Sequence, residues 1–254
     1  PYISNKPTVI SVNLGRQLFV DDFLIAVTAM LARVYCWAGE YGNAYKEAKE
    51  VVDATYSTGS TSTASCFNFS NSLTTNRKDY NSIIMTFFKS TCYEDYLPYM
   101  TKGNDVVLVV NTTNLFGDEA GADDRNLDLF GDWDGGDIKY SFKYDIKEGT
   151  SGTDMIPAIR LSEMYYIMGE YFAYKDEFSK AGEMLDKVRY ARGISTTNLA
   201  SSIGSLEVFH THLIKEMRRE FVGEGQMFFQ YKRLDQKPKD NVVFVFDKPN
   251  NEDI

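Results

Sequence analysis

The stretch EMRREFVGEGQMFFQYKR, residues 216–233, sets three acids and four bases around two glycines and ends in aromatic and basic side chains. Glu220 and Glu224 stand four residues apart, so on a helix they share one face and repel unless cations meet them. Arginine suits that task, because its planar fork holds a carboxylate through two hydrogen bonds. The segment therefore reads as an internal lock of ion pairs. Its remaining partners must come from elsewhere in the chain.

Upstream, Ser205 is placed to cap a helix. Leu206, Phe209, Leu213, Met217, Phe221 and Phe228 keep helical spacing, which predicts one long helix to about Arg233, weakened or broken midway by Gly223 and Gly225. Residues 158–174 (AIRLSEMYYIMGEYFAY) and the following FSKAGEMLDKVRYARG predict a helical hairpin, with Pro157 where a helix could begin and with Phe178, Ala181, Leu185 and Val188 along one stripe. A similar hairpin is predicted near the start. Residues 18–38 carry Phe23, Val27, Met30, Leu31 and Val34 at helical steps, and after Gly39 come Tyr41, Ala44, Tyr45, Ala48, Val51 and Val52. Small Ala32, Ala44 and Ala48 would let the two helices approach closely. The two turns align, with Glu40 on Glu177, Tyr41 on Phe178 and Ala44 on Ala181. That is the pattern of a tetratricopeptide-type hairpin, although about a hundred residues separate the copies.

Between the hairpins the chain changes character. NSIIMTFFK (81–89) reads as a strand, with VVLVV (106–110) and IKYSFKY (138–144) as weaker candidates. TTNLFGDEAGADDRNLDLFGDWDGGD (112–137) is rich in Gly, Asn and Asp and predicts loops and turns. The expected organisation is a single domain over 1–254: a helical hairpin at 18–56, a loop- and strand-rich ligand-binding segment at 57–155, and a hairpin plus long helix at 157–234.

With these elements placed, the opening stretch resembles the C-terminal signature of the SusD/RagB family of outer-membrane nutrient-binding lipoproteins. Glu216, Arg218, Arg219, Glu220, Phe221, Glu224, Gly225, Phe229 and Arg233 match it, while Met227 and Gln230 stand where many members carry Arg and Asp. IPAIRLSEMYYIMGEYFA resembles the family's Arg-x-x-Glu helix through Arg160 and Glu163, LDKVRYARG its Asn/Asp-x-x-Arg-x-Arg-Gly element, and FDKPNNEDI its Pro-x-x-Glu ending. NSIIMTFFK resembles the strand before the variable loops, and DDR (123–125) the Asp-x-Arg after them. The resemblance implies a mainly α fold of tetratricopeptide-like hairpins with irregular loops and a few short strands. It further implies a surface-exposed, lipid-anchored outer-membrane protein that captures a glycan without cofactor or catalysis and passes it to a SusC-like TonB-dependent transporter. Members are usually much longer, so the chain resembles the C-terminal half to two-thirds of one, or a truncated member, with any lipid anchor upstream of residue 1. In this reading Arg218, Arg219, Glu220 and Glu224 pair with one another and with Arg160 and Glu163, as a structural signature that also includes Gly225 and Arg233.

Composition removes several alternatives. Net charge is −9, and no Lys/Arg cluster offers a footprint for nucleic acid. No apolar run reaches the roughly 18 to 20 residues that span a bilayer. Cys36, Cys66 and Cys92 show no metal spacing, and His210 and His212, two apart on a helix, point in different directions and read as surface positions. DWDGGD (132–137) does not fit a calcium loop and reads as a tight turn. No metal site is predicted. The glycan candidates are Trp133, in a Gly/Asp loop, with Asp134 and Arg125 as hydrogen-bonding partners, and Tyr93, Tyr96, Tyr99 and Tyr140 as further stacking rings. The alternative for Trp133 is a ring folded back onto the core, and Trp37, ending a helix, is expected to be packed. Two other functions stay open. A protein-interaction scaffold would bury the loop aromatics and expose apolar helix surface. A carbohydrate-active enzyme would set two acids across a cleft.

Overall fold

The computed structural model describes residues 20–57, 63–99, 109–132, 135–145 and 154–234. In chain order the elements are α1 (Val20–Trp37), α2 (Tyr41–Asp53), β1 (Thr55–Ser57), β2 (Thr63–Ser65), β3 (Ile83–Phe88), α3 (Cys92–Tyr96), β4 (Val109–Asn111), α4 (Thr112–Phe116), α5 (Asp124–Leu129), β5 (Phe130–Asp132), β6 (Ile138–Ser141), β7 (Met155–Arg160), α6 (Leu161–Ala173), α7 (Phe178–Ala191), α8 (Leu206–Glu220) and α9 (Met227–Arg233). The fold is mostly helical, with a few short strands, as the sequence predicts.

The internal repeat is a repeat of backbone geometry. Glu40 and Glu177, the residues before α2 and α7, adopt φ −85°, ψ 59° and φ −88°, ψ 59°. Ala44 and Ala181, each four residues on, are both fully buried. The two hairpins are neighbours in space, because α2 packs directly on α6 although about a hundred residues separate the two helices in the chain. Tyr41 stacks on Tyr174 at 3.9 Å between ring centroids, and Tyr45 on Tyr171 at 4.3 Å. Four of the seventeen tyrosines therefore stack along this seam. α7 then carries α8, extending the layer in chain order.

α1 faces the opposite way from the sequence expectation. Its buried side is Ala26, Ala29, Ala32 and Cys36, which lie against Ala44, Ala48 and Val51 in one cluster. Small residues on both helices let the backbones come together, so the larger Leu24, Val27, Leu31 and Val34 end on the outer face, exposed. Helical period alone marks a stripe without saying which side meets the core.

Two further elements differ from the sequence reading. Pro157 lies within β7, which pairs antiparallel with β3 from Ile83↔Arg160 to Phe88↔Met155, and the helix starts only at Leu161. A two-stranded sheet leaves an outward side on each strand, where a proline is tolerated. The segment predicted as loop contains α4 and α5, nucleated by side-chain caps: Asn111 accepts from the Asn114 amide and Asp123 from the Arg125 amide. The long helix is broken midway at its two glycines, as predicted. Ser205 caps α8 through Val208 N–H at 3.2 Å, and Gly223 and Gly225, at φ 75° and 70°, turn the chain before α9. Of the predicted strand 106–110, residues 106–108 lie outside the described residues, as does the FDKPNNEDI ending (246–254); β4 begins at Val109 and joins β6 and β5 in a three-stranded sheet of order β4-β6-β5.

Candidate functional site

The acids and bases of the 216–233 stretch are the centre of a buried ion network. Glu220 accepts from Arg192 Nε at 3.1 Å and Nη2 at 2.6 Å, and from Arg125 Nη1 at 3.2 Å. Arg125 also grips Asp123 through two bonds, at 2.9 and 2.7 Å, and reaches Glu216 at 2.9 Å. Arg192 extends to Asp79 at 2.7 Å. Glu216 receives Arg219 at 2.8 Å and Arg189 at 3.4 Å, and Arg219 donates onward to the carbonyls of Leu115 and Phe116. All four guanidiniums and the carboxylates of Glu216 and Glu220 are almost fully buried. Next to this set, Glu224 accepts from Arg160 Nε at 2.8 Å and Lys143 Nζ at 2.6 Å. A third pair ends the signature, with Arg233 bidentate on Glu170 at 2.7 Å to each oxygen.

Pairing within the signature therefore holds in outline and differs in detail. Arg160 meets Glu224, but Glu163 is taken by Arg33 of α1, through Nε at 2.6 Å. Gln230, where an Asp is common in the resemblance, keeps the contact by accepting from Arg233 Nε at 3.0 Å. Met227 packs at the edge of the core around Phe209 and Phe221. Arg218 is half-buried beside a small cavity lined by Phe221, Val222 and Tyr231.

The network has a sign in pH. Burial alone would raise the Glu220 carboxyl, but Arg192 and Arg125 prevail and hold it well below the usual carboxylate range. Glu119, between Arg219 and Arg189, and Glu224, between Arg160 and Lys143, are likewise held below it against their burial. A carboxyl whose pKa is lower folded than unfolded contributes its stability above the unfolded value of about 4.3 and loses it as pH falls through the folded one. Burial raises Asp186 and Asp124, which act in the opposite sense but are fewer. The urea midpoint is accordingly expected to fall steeply below about pH 4.5, and equilibrium unfolding monitored by circular dichroism at pH 7, 5, 4 and 3 checks it.

Of the candidate ligand residues, Trp133 and Asp134 lie outside the described residues. The expectation for Arg125 is corrected: it is 1% exposed and its guanidinium is committed to Asp123, Glu216 and Glu220. Tyr93, Tyr96 and Tyr99 do sit on one turn of α3 and the short helical turn after it, but they do not form one platform. Tyr96 is stacked on Tyr144 at 4.6 Å, above the buried ammonium of Lys78, which burial pushes down to about 8. Tyr93 is half-buried, and Tyr99 is 49% exposed. Tyr140 is half-buried, with its ring over Gly131, where a Cβ would stand 2.5 Å away. DWDGGD is a turn at its described residues, with Gly135 N–H on Asp132 Oδ1 at 3.0 Å. Among the described residues no group of His, Cys, Asp and Glu is arranged to hold a metal. His210 is a correction too, being buried against Phe209 and edge-on to Tyr174.

Sequence reasoning missed a groove. Trp37, at the end of α1, is not packed away; it faces Phe229 of α9 with ring centroids 6.1 Å apart. These two rings and Phe87 of β3 wall an open groove of about 360 Å³ whose polar lining includes Arg33, Gln226 and Gln230. Tryptophan at a helix end and paired phenylalanines after a glycine turn were the available signal.

The sequence model of the SusD family matches residues 32–251, and the chain belongs to that family. It is similar in fold to a SusD superfamily protein from Bacteroides thetaiotaomicron, at 22% identity and TM-score 0.60, with 84% of this chain covering 50% of that one. A putative sugar-binding protein from Bacteroides vulgatus superposes at 22% identity and TM-score 0.60, over 84% and 47% of the two chains. A laminarin-binding SusD-like protein does so at 17% identity and TM-score 0.56, over 86% and 55%. The chain thus spans about half the length of the solved structures it matches. No curated protein sequence matches it. Among the described residues no helix is long and apolar enough to cross a membrane.

Proposed function

We propose that the chain serves glycan capture at the outer-membrane surface, as a lipid-anchored protein that hands oligosaccharide to a TonB-dependent transporter without catalysing a reaction. The observation that carries this reading is family membership over residues 32–251, with similarity to solved proteins described as sugar- and laminarin-binding. The geometry is consistent with binding rather than chemistry. The most deeply buried carboxylates are each held by arginine or lysine, so their work is structural. In the strand- and loop-rich segment Tyr99 is exposed, and Trp133 and Asp134 of the same stretch of sequence remain candidate contacts. Isothermal titration calorimetry against soluble laminarin, amylose oligomers, xylan and mannan is expected to show binding to one class. Heat changes no larger than dilution for all of them would remove the proposal.

One observation favours a second reading, an interaction scaffold. Leu24, Val27, Leu31 and Val34 lie at alternating steps of three and four on the outer face of α1, the spacing of a helix–helix seam. Size-exclusion chromatography with light scattering on the chain and on Leu31→Glu with Val34→Glu tells whether that seam holds a protein partner.

A further inference from the structure

The groove between α1, β3 and α9 combines two features that rarely coincide on a surface built only for solvent. Its walls are the rings of Trp37, Phe87 and Phe229, each about half exposed. Its polar groups have hydrogen-bonding capacity left over. Arg33 uses Nε and Nη2 on Glu163, the Ala158 carbonyl and Gln226, which leaves Nη1 for the groove. Gln230 spends its side-chain oxygen on Arg233 and keeps its amide N–H groups. Gln226 makes only long contacts, at 3.4 and 3.5 Å, to Glu224 and Arg33.

Charge and polarity narrow the occupant. The charged side chains lining the groove are Arg33, which is paired with Glu163, and Glu224, which is paired with Arg160 and Lys143; one cation and one anion leave the lining itself no surplus cation to attract a phosphate or carboxylate. A hydrocarbon would satisfy the rings but strand the amide and guanidinium N–H groups away from water. A pyranose presents an apolar face of C–H bonds to a ring and a rim of hydroxyls that both donate and accept. That chemistry matches walls of aromatic carbon with amides between them.

We propose that this groove is a binding subsite for a short stretch of neutral glycan, stacked on Trp37 and Phe229 and hydrogen-bonded by Arg33, Gln226 and Gln230. The proposal rests on the glycan-capture reading above and moves the contact from the loops to the junction of α1 and α9. A groove volume of about 360 Å³ lies in the range of small-ligand sites.

The test is calorimetric titration of the chain with laminarihexaose, maltohexaose, xylohexaose and mannohexaose, beside Trp37→Ala combined with Phe229→Ala. The double variant is expected to weaken the hexasaccharide that binds by at least about tenfold, and Trp37→Phe by no more than about threefold, because a ring is kept. Far-UV circular dichroism verifies the fold. Should the double variant not fold, Gln226→Met, which leaves the walls intact, is expected to weaken binding by about threefold or more. Binding by the wild type that persists unchanged in whichever of these variants folds would overturn the groove while leaving glycan capture in place. A wild type that binds none of the four would overturn both.

Discussion

Glu220→Ala is expected to lower the free energy of unfolding by about 3–5 kcal/mol, the range seen when one member of a buried ion pair is deleted. The reason is asymmetry. Two almost fully buried guanidiniums, Arg192 and Arg125, would each lose a carboxylate, and Arg192 would be left with Asp79 as its remaining anion. The cost is that of an uncompensated charge held away from water, not the modest net worth of an ion pair. Against a typical domain stability of about 5–15 kcal/mol, such a loss takes the chain toward the edge of folding. Urea unfolding followed by circular dichroism measures it. Glu220→Gln is expected to fall between the two, since the amide oxygen still accepts. Lys49→Ala, which breaks an exposed pair with Asp53, serves as the control and should leave the midpoint where it was. If Glu220→Ala behaves like Lys49→Ala, the network does not hold this fold together.

Gly193→Ala should be the next most damaging single change, by about 2–4 kcal/mol. Gly193 has φ 84°, and a Cβ built there would stand 2.6 Å from the Ala122 carbonyl oxygen and 2.9 Å from Asp124 Oδ1. Both strain and overlap apply, and the obstructing carbonyl is backbone next to Asp123 and cannot swing aside. The amide of Asp124 also donates to the Arg192 carbonyl at 2.9 Å, so any retreat would pull on the arginine that holds Glu220. Gly39 separates the two effects. It has φ 78° with open space around its missing Cβ, so Gly39→Ala should cost only the strain, about 1–2 kcal/mol. Thermal or urea melts of the two variants, run together, decide it. Equal losses would mean that the contact with Ala122 relaxes freely.

The two hairpins and their shared turn were legible because the pattern Glu, aromatic, Ala repeats a local backbone requirement, and local requirements are written in neighbouring residues. The lock was legible as a demand: Glu220 and Glu224 needed cations. Arg160 was expected near this pair and does meet Glu224, but the cations of Glu220 were not legible, because Arg125 and Arg192 are remote in sequence and any of several arginines satisfies the same chemistry. The family resemblance named DDR and Arg-x-Arg-Gly as motifs, yet Arg125 was read as a ligand contact, since a loop arginine and a buried one look alike without burial. α1 misled for a different reason. Its large residues mark the stripe that periodicity detects, whereas its packing face is alanine and leaves a weak signal. The groove stayed hidden because Trp37, Phe87 and Phe229 are far apart in the chain and only the β3–β7 pairing and the glycine turn before α9 bring them together.

The lock also bears on how the chain reaches its fold. Its members come from residue 79, from 119 to 125, from 186 to 192 and from 216 to 220, so no stretch of the chain can assemble it alone. Each hairpin can form early from neighbours, and so can local pairs such as Arg219 with Glu216 and Arg125 with Asp123, but Arg125 meets Glu216 and Glu220, and Arg192 meets Asp79, only after the long excursion between the hairpins has returned. Closing loops of that length costs entropy before the contacts repay it, which places the search for these partners late and makes it slow. Until then the charges stay hydrated, and burial of one without the rest is unfavourable. The ionic centre thus acts as a proofreading step, admitting the chain to its final state only when every distant segment has arrived.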